Sequence, residues 1–389
     1  DRMDERYNLS RAVTDGRYRY IRNYHPDRPW GQRVDFLWQL ASIREAAEFG
    51  FTEVPTSHSG TQKIAFRGGF CAVGFNPLKY RLQGERESVG VFAILLGEAW
   101  QLRRNDPRLI APVLHVANVA MQNMSLPNDL LLESSPEPYP SGEEMNFLLD
   151  DYNYELRHRL LRIARARSQN PEVFSGISLD YGYLKFKSHN AKYLVAKQHG
   201  NPVGAIGYAM DDVDHKLRIF DLLALDEEVE GFLLRQGLAR LEQRLNPDII
   251  SIDVSAYSPR IQETLYLLEF VPTAYCPAMV FQNGERLDVV KMMKLRIPYQ
   301  PRPMDLIEGM VLVQKAVEDL FLQQERSRVL STFTRAVPIF SGLSERDLSK
   351  VHHICEELRV PAGHEVFSQL SESKAMFVVV EGEFKITTA

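Results

Sequence analysis

At 389 residues, with 44% hydrophobic and 25% charged residues, the chain has an ordinary globular composition and length for two or three domains. Its formal net charge of -5 gives no electrostatic reason to expect nucleic acid as a partner, and no run approaches the roughly 18 apolar residues of a membrane span. Cys71, Cys276 and Cys355 are far apart, without metal-ligand spacing, and the adjacent His352 and His353 cannot share one helix face. The stretch DRMDERYNLS lacks the apolar core of a signal peptide, so the expected compartment is the cytoplasm.

Residues 1–40 are aromatic and basic, with Asp4-Glu5-Arg6-Tyr7, Val13-Thr14-Asp15-Gly16-Arg17-Tyr18-Arg19-Tyr20-Ile21-Arg22 and Pro29-Trp30-Gly31-Gln32. This string resembles a C-terminal fragment of sulfatases, where it forms a strand pair. Sulfatases need a Cys/Ser-X-Pro-X-Arg motif, and none of the three Cys contexts supplies it, which argues against sulfatase chemistry.

Residues 41–126 begin with a helix end at IREAAEFG, followed by a strand at FTEVPTS, a helix at GTQKIAFRGGF, strands ending in ESVGVFAILLG, and helices at GEAWQLRRN and 107–124. The Pro-, Ser- and Glu-rich stretch 127–142 reads as a linker. In 143–297 a basic amphipathic helix is predicted over 145–169, with Leu156, Leu160, Ile163 and Ala164 as its apolar stripe. There follow strands at KYLVAK, PVGAIGYAMDD and KLRIFDLLALD, a helix over 229–245, the stretch IDVSAYSPRIQETLYLLEF, and closing strands at TAYCPAMVF and LDVVKMMKL.

That last stretch has a counterpart two hundred positions earlier. Val54, Gln62, Phe70, Gly84, Glu85, Arg86 and Val89 match Val254, Gln262, Phe270, Gly284, Glu285, Arg286 and Val289 without a gap, so two related units are expected. Ser258 is placed to cap the second unit's helix, and Pro259 fits its first turn.

The element order, with Asp253-Val254-Ser255-Ala256-Tyr257-Ser258-Pro259-Arg260 and Phe270, resembles the GNAT N-acetyltransferase superfamily, complete in 143–297 and partial in 41–96. The resemblance implies an α/β fold of tandem GNAT-like mixed sheets flanked by helices. Its implied activity is acetyl transfer from acetyl-CoA to a small-molecule or protein amine. Asp221 would be the base and Tyr266 the acid; Leu223, Ala224 and Leu225 would offer backbone groups to the pantetheine arm, with Ser258 beside the cofactor. Aligned on Phe270, however, Leu265 rather than Tyr266 takes the family's Tyr position. The family holds the pyrophosphate in a Gln/Arg-X-X-Gly-X-Gly/Ala loop at a helix N-terminus, and here that place reads Asp226-Glu227-Glu228-Val229-Glu230-Gly231-Phe232. Two like charges about 4 Å apart interact by roughly 4 kcal/mol even at an effective dielectric near 20, so these carboxylates oppose a diphosphate.

After the Pro-rich turn at 298–303, a helix over 305–330 carries Leu306, Ile307, Met310, Val313, Val317, Leu320 and Phe321 on one face. It is suited to packing on a neighbouring domain or forming a homo-oligomer. Residues 332–389, with Ser344 and Asp347 spaced as a helix start and VPIFSGLSERDLSKVHHICEELRVPAGHEVFSQLSESKAMFVVVEGEFKI, resemble the first half of a cyclic nucleotide-binding domain. An incomplete β-roll is implied, able to hold a cyclic nucleotide only with its missing half. Two functions follow: an acetyltransferase regulated by a nucleotide domain, or a non-catalytic sensor or scaffold with a degenerate CoA site.

Overall fold

The computed structural model describes residues 10–14, 19–23, 48–82, 84–167, 171–174, 192–300 and 302–334, with scattered positions beyond. Near the N-terminus, β1 (Ser10–Thr14) and β2 (Arg19–Asn23) form an antiparallel hairpin in which Val13 faces Tyr20. The first unit consists of β3 (Phe49–Pro55), α1 (Ser59–Arg67), β4 (Cys71–Leu82) and β5 (Glu85–Leu95). Next come β6 (Arg108–Leu109), α2 (Ala111–Asn123) and β7 (Leu131–Leu132). The stretch GEAWQLRRN forms turns, not the expected helix. Of the helix end expected at IREAAEFG, Glu48 is helical, Phe49 and Gly50 already belong to β3, and the rest lies outside the described residues.

The larger part opens with β8 (Leu148–Asp151), a strand where sequence periodicity predicts helix, and a 3₁₀ turn before α3 (Arg157–Arg167). β9 (Val173–Phe174), β10 (Lys192–Gln198), β11 (Asn201–Asp211) and β12 (Lys216–Ala224) follow. Then α4 (Glu227–Phe232) runs through a π-helical stretch (Leu233–Gly237) into α5 (Leu238–Leu245). The second unit, β13 (Ile249–Ser255), α6 (Pro259–Leu267), β14 (Val271–Gln282) and β15 (Glu285–Leu295), precedes α7 (Glu308–Thr334).

The bounds of the second unit are those of the first plus 200, from Phe49 and Ile249 to Leu95 and Leu295. Even the irregularities recur. The β4–β5 register shifts between Ala72 and Gly74 and between Asn76 and Tyr80, and the β14–β15 register shifts between Pro272 and Ala274 and between Cys276 and Val280. Leu78 and Ala278 both take left-handed backbone, at φ 52° and 53°. A side chain meets each amide: Leu78 N–H donates to Ser88 Oγ at 3.0 Å, and Ala278 N–H donates to Asp288 Oδ1 at 2.8 Å. Such bonds hold a conformation that L-residues otherwise avoid.

The two units do not build separate sheets. One 11-stranded mixed sheet has the order β3-β5-β4-β14-β15-β13-β12-β11-β10-β8, with β9 on β13. The halves meet at Ala274 opposite Gly74, where a Cβ on Gly74 would lie 2.1 Å from that of Ala274. Only glycine permits this approach. The apolar stripe expected on 305–330 is buried inside the chain: Met310, Val313, Val317, Leu320 and Phe321 pack with Phe75, Val271 and Tyr299. The stripe is thus taken up by packing within the chain, the first of its two expected uses. Leu160 and Ile163 of α3 bury as predicted, against Tyr193, Val195, Ala205 and Leu223. The incomplete β-roll expected over 332–389 lies mostly outside the described residues.

Candidate functional site

The seven strands β8, β10, β11, β12, β13, β15 and β14 are adjacent in that order, and β12–β13 is their parallel pair. That pairing runs only from Lys216 opposite Ile249 to Ile219 opposite Ile252. β12 continues to Ala224 and β13 to Ser255, so the strands diverge into a V. The V is filled. β9 pairs with the free edge of β13, setting Phe174 opposite Asp253 and Val173 opposite Val254, and Ser255 N–H donates to Glu172 O at 2.8 Å.

A second piece of chain closes the helical side. Residues 137–142, from the stretch expected as a linker, form a strap from the first turn of α4 to α6. Tyr139 is 5% exposed and sits in the main core. Its N–H donates to Thr264 Oγ1 at 2.8 Å, its hydroxyl donates to Glu172 Oε2 at 2.8 Å, and its carbonyl accepts from Arg235 Nη2 at 3.4 Å. The Arg260 guanidinium lies 4.6 Å from the Tyr139 ring centroid, while Arg260 Nε donates to the Glu137 carbonyl at 3.1 Å. The strap lies so close to α4 that a Cβ on Gly231 would stand 1.8 Å from the Pro140 carbonyl oxygen. Gly142, at φ 67°, passes the Glu228 carbonyl and the Phe232 side chain. Burial, with Glu172 and Glu230 nearby, raises the Tyr139 pKa well above the ordinary phenol range and keeps the hydroxyl protonated.

The place where a diphosphate would bind is helix. Residues from Glu227 to Leu245 run as α4, the π-helical stretch and α5, so only the first-turn amides lack intrahelical acceptors. Asp226 uses its own carboxylate there, accepting from Val229 N–H at 2.9 Å. Glu227, Glu228 and Glu230 complete an acidic first turn, and Glu227 pairs with Arg260 at 2.6 Å. The charges suit the helix dipole and leave no glycine-lined anion cradle.

The residues expected to carry chemistry are dispersed. Asp221 is 8% exposed and accepts a hydrogen bond from the Tyr193 hydroxyl at 2.8 Å; that tyrosine belongs to the core under α3. Tyr266 packs against the main core instead, and burial, reinforced by the Glu263 carboxylate, pushes its pKa up to about 12. Asp221 is thus engaged by a tyrosine of the α3-side cluster, while Tyr266 packs on the main core. Leu223 and Ala224 bury their side chains opposite Ala205 and Gly204. The Leu225 amide donates to Val203 O at 3.0 Å, which removes it from any pantetheine. Ser258 occupies the N-cap position, but its side chain makes no capping bond. What sequence reasoning missed is Tyr139. The one available signal was an aromatic residue between prolines, Pro138-Tyr139-Pro140, in a stretch otherwise polar enough to pass for a linker.

Among solved structures, part of this chain is similar to acetyltransferases. The ribosomal-protein-alanine N-acetyltransferase from Brucella melitensis is 16% identical, with 38% of this chain and 99% of that one covered at a TM-score of 0.33. The spermidine N-acetyltransferase from Vibrio cholerae, in complex with CoA and spermine, is also 16% identical, with 39% and 95% covered at a TM-score of 0.33. No family model and no curated protein matches the chain. The sulfatase-like and nucleotide-domain resemblances thus gain no support from these comparisons.

Proposed function

We propose that the described part of this chain is an acetyltransferase-like module working as a non-catalytic sensor or scaffold, with its cofactor groove closed by its own residues. The observation that carries this reading is Tyr139, buried between α4 and α6 and bonded to Thr264 and Glu172. A pantetheine arm entering the V would have to displace both the strap and β9. The acidic first turn of α4 and the engagement of the buried Asp221 by Tyr193 point the same way. Calorimetric titration of the full chain with acetyl-CoA tests it: no saturable heat and no thermal shift are expected, and micromolar binding would overturn it.

A second reading, acetyl transfer from acetyl-CoA to an amine, is favoured by one feature, the divergence of β12 and β13 beyond Ile219 and Ile252. In that reading the acceptor is a small amine or a protein amine, and the solved relative carrying CoA and spermine supplies the first acceptor to try. Asp221 and Tyr266 would then need rearrangement to face the V. Release of free thiol from acetyl-CoA in the presence of a polyamine would support this reading over the first.

A further inference from the structure

We infer that the outer edge of β3, with the outward face of α1, is the surface through which two copies of this chain pair about a twofold axis. The internal repeat supplies the comparison. In the second unit the equivalent edge, on β13, is covered by β12 along 249–252 and by β9 at Asp253 and Val254. Beyond it α4 meets α6 through the Glu227–Arg260 pair at 2.6 Å. In the first unit β3 pairs with β5 alone among the described residues, and it ends the large sheet.

The residue types at the two places are inverted. Phe51, Ile64, Phe66 and Leu96 are 38, 70, 63 and 43% exposed. Two hundred positions on, the covered unit carries Ser251, Thr264, Tyr266 and Arg296. Thr264 is fully buried and accepts the Tyr139 amide through Oγ1, so its counterpart Ile64 is aimed the same way, across the β3 edge. Arg296 donates to the Asn246 side chain and the Pro247 carbonyl, at 3.2 and 2.8 Å. Large apolar side chains thus stand where the surface is bare, and polar ones where it is covered. Water favours the reverse, and apolar groups held in it mark a surface that meets a partner.

The edge is also unguarded. Leu96 N–H donates to Glu48 O at 2.8 Å and Thr56 N–H to Ser88 O at 3.2 Å, so even-numbered positions bond toward β5 and the amides of Phe49, Phe51 and Glu53 turn outward. Sheet edges are ordinarily blunted by shortness, charge or proline. At the far end of the sheet, β8 has four residues, two of them aspartates, and its Asp151 amide already donates to Asp150 Oδ1 at 2.9 Å. β3 has seven residues. Its single charge, Glu53, is taken up by Lys79 and by the Tyr80 hydroxyl at 2.6 Å, and Pro55 only closes the row.

A second copy completes this edge. Antiparallel pairing centred on Phe51 sets Phe49 of each copy opposite Glu53 of the other, giving every outward amide a carbonyl. Val54 shares a core cluster with Ala65 of α1, so Phe51, of opposite parity, lies on the other face of the sheet. An axis normal to the sheet therefore brings the two α1 helices together on one face and the two Phe51 rings together on the other. The partner delivers a strand and a helix, as β12 and α4 do for β13, whereas an extended peptide would deliver only the strand. The exposed parts of the four apolar side chains come to about 400 Å² per copy. Both copies together, with their paired strand edges, reach the roughly 1,200 Å² at which specific interfaces begin. Identical patches closing on each other give a dimer, not a fibre.

Sedimentation equilibrium of the full chain at micromolar concentration tests this, and the mass of two chains is expected. The triple variant Phe51→Ser/Ile64→Thr/Leu96→Arg gives the first unit the residues of the second and should raise the dimer dissociation constant about tenfold or more. Leu148→Lys, on the guarded edge, should leave it unchanged. A wild-type chain that stays single up to about 100 µM would overturn the inference. So would a dimer indifferent to the triple variant, or one dissociated by Leu148→Lys. Should the triple variant fail to fold, Phe51→Lys alone places a charge on the exposed edge and is read in the same way.

Discussion

Gln62 and Gln262 stand at equivalent places in the two units, and each holds the chain that enters the helix following the other unit. Gln262 donates to Arg108 O at 3.2 Å and accepts from Ile110 N–H at 3.3 Å, just ahead of α2. Gln62 donates to Asp305 O at 3.0 Å and accepts from Ile307 N–H at 3.1 Å, just ahead of α7. Both glutamines are fully buried. The helix trailing each unit is thus tied to the opposite unit, and the two are interlocked through reciprocal side-chain clamps.

Replacing either glutamine with leucine keeps the volume but strands a buried backbone N–H and C=O. Gln62→Leu and Gln262→Leu should each lower stability by about 1–3 kcal/mol. Chemical denaturation should show a lower midpoint with an unchanged slope; an unchanged midpoint for both would show that the clamps contribute nothing.

The seam between the units has no room for a side chain. Gly74→Val would drive its branched Cβ into Ala274 and the Thr273 carbonyl and should cost about 1–3 kcal/mol or more. The matching change at an open turn, Gly84→Ala, meets no atom within 4 Å. It tests the cost of positive φ alone, at 87°. If the two variants melt alike, steric crowding at the seam is not the cause.

From the turns after the first unit, Arg103 binds the buried Asp288 of the second through Nε at 2.8 Å and Nη2 at 2.6 Å, and the Tyr275 hydroxyl also donates to this carboxylate. Burial pushes the Asp288 carboxyl up, against the pull of Arg103. Arg103→Met leaves burial unopposed by the guanidinium and should cost about 3–5 kcal/mol near neutral pH. The folded pKa would then lie further above the unfolded one, the folded state would bind more protons between them, and the variant's stability should fall as pH rises through that window. Denaturation midpoints from pH 5 to 8 that move in parallel for wild type and variant would contradict this.

Asp248 works in the opposite direction. Burial raises its pKa, but Arg86 and Arg81, reaching over from the β4–β5 hairpin, outweigh burial and hold the carboxyl below its usual range. A depressed folded pKa contributes stability that is present above the unfolded value and lost as pH falls through the folded value. Asp248→Asn should therefore remove part of the acid-side decline in denaturation midpoint seen in wild type. An identical acid limb in the two proteins would rule the bridge out as its source.

Strap and α4 touch at Gly231. Gly231→Ala places a methyl group where the Pro140 carbonyl lies, 1.8 Å away, and should lift residues 137–142. A glutamate-specific protease should then cut after Glu137 or Glu143 faster than in wild type, by tenfold or more if the strap comes free. Equal cleavage rates would mean that the strap tolerates the methyl by a local shift.

What the sequence determined by itself was local grammar and repetition. Residues matching at a spacing of 200 marked units whose strands and helices share bounds, because bulges, left-handed turns and buried faces follow from neighbouring residue types. Val317 and Phe321, and likewise Leu160 and Ile163, show their buried faces in period alone. The acidic start of α4 was also legible, since four carboxylates in one turn oppose a diphosphate in any packing. Only the tertiary structure decided that the two units share one sheet, because a single Gly74–Ala274 approach is invisible to periodicity. It alone decided that β8 is a strand, since edge pairing with β10 overrides helical propensity in a four-residue segment. Above all, it decided that Tyr139 is buried between α4 and α6. That depends on where a loop's one aromatic side chain meets helices far further along the chain, and no local pattern encodes such a meeting.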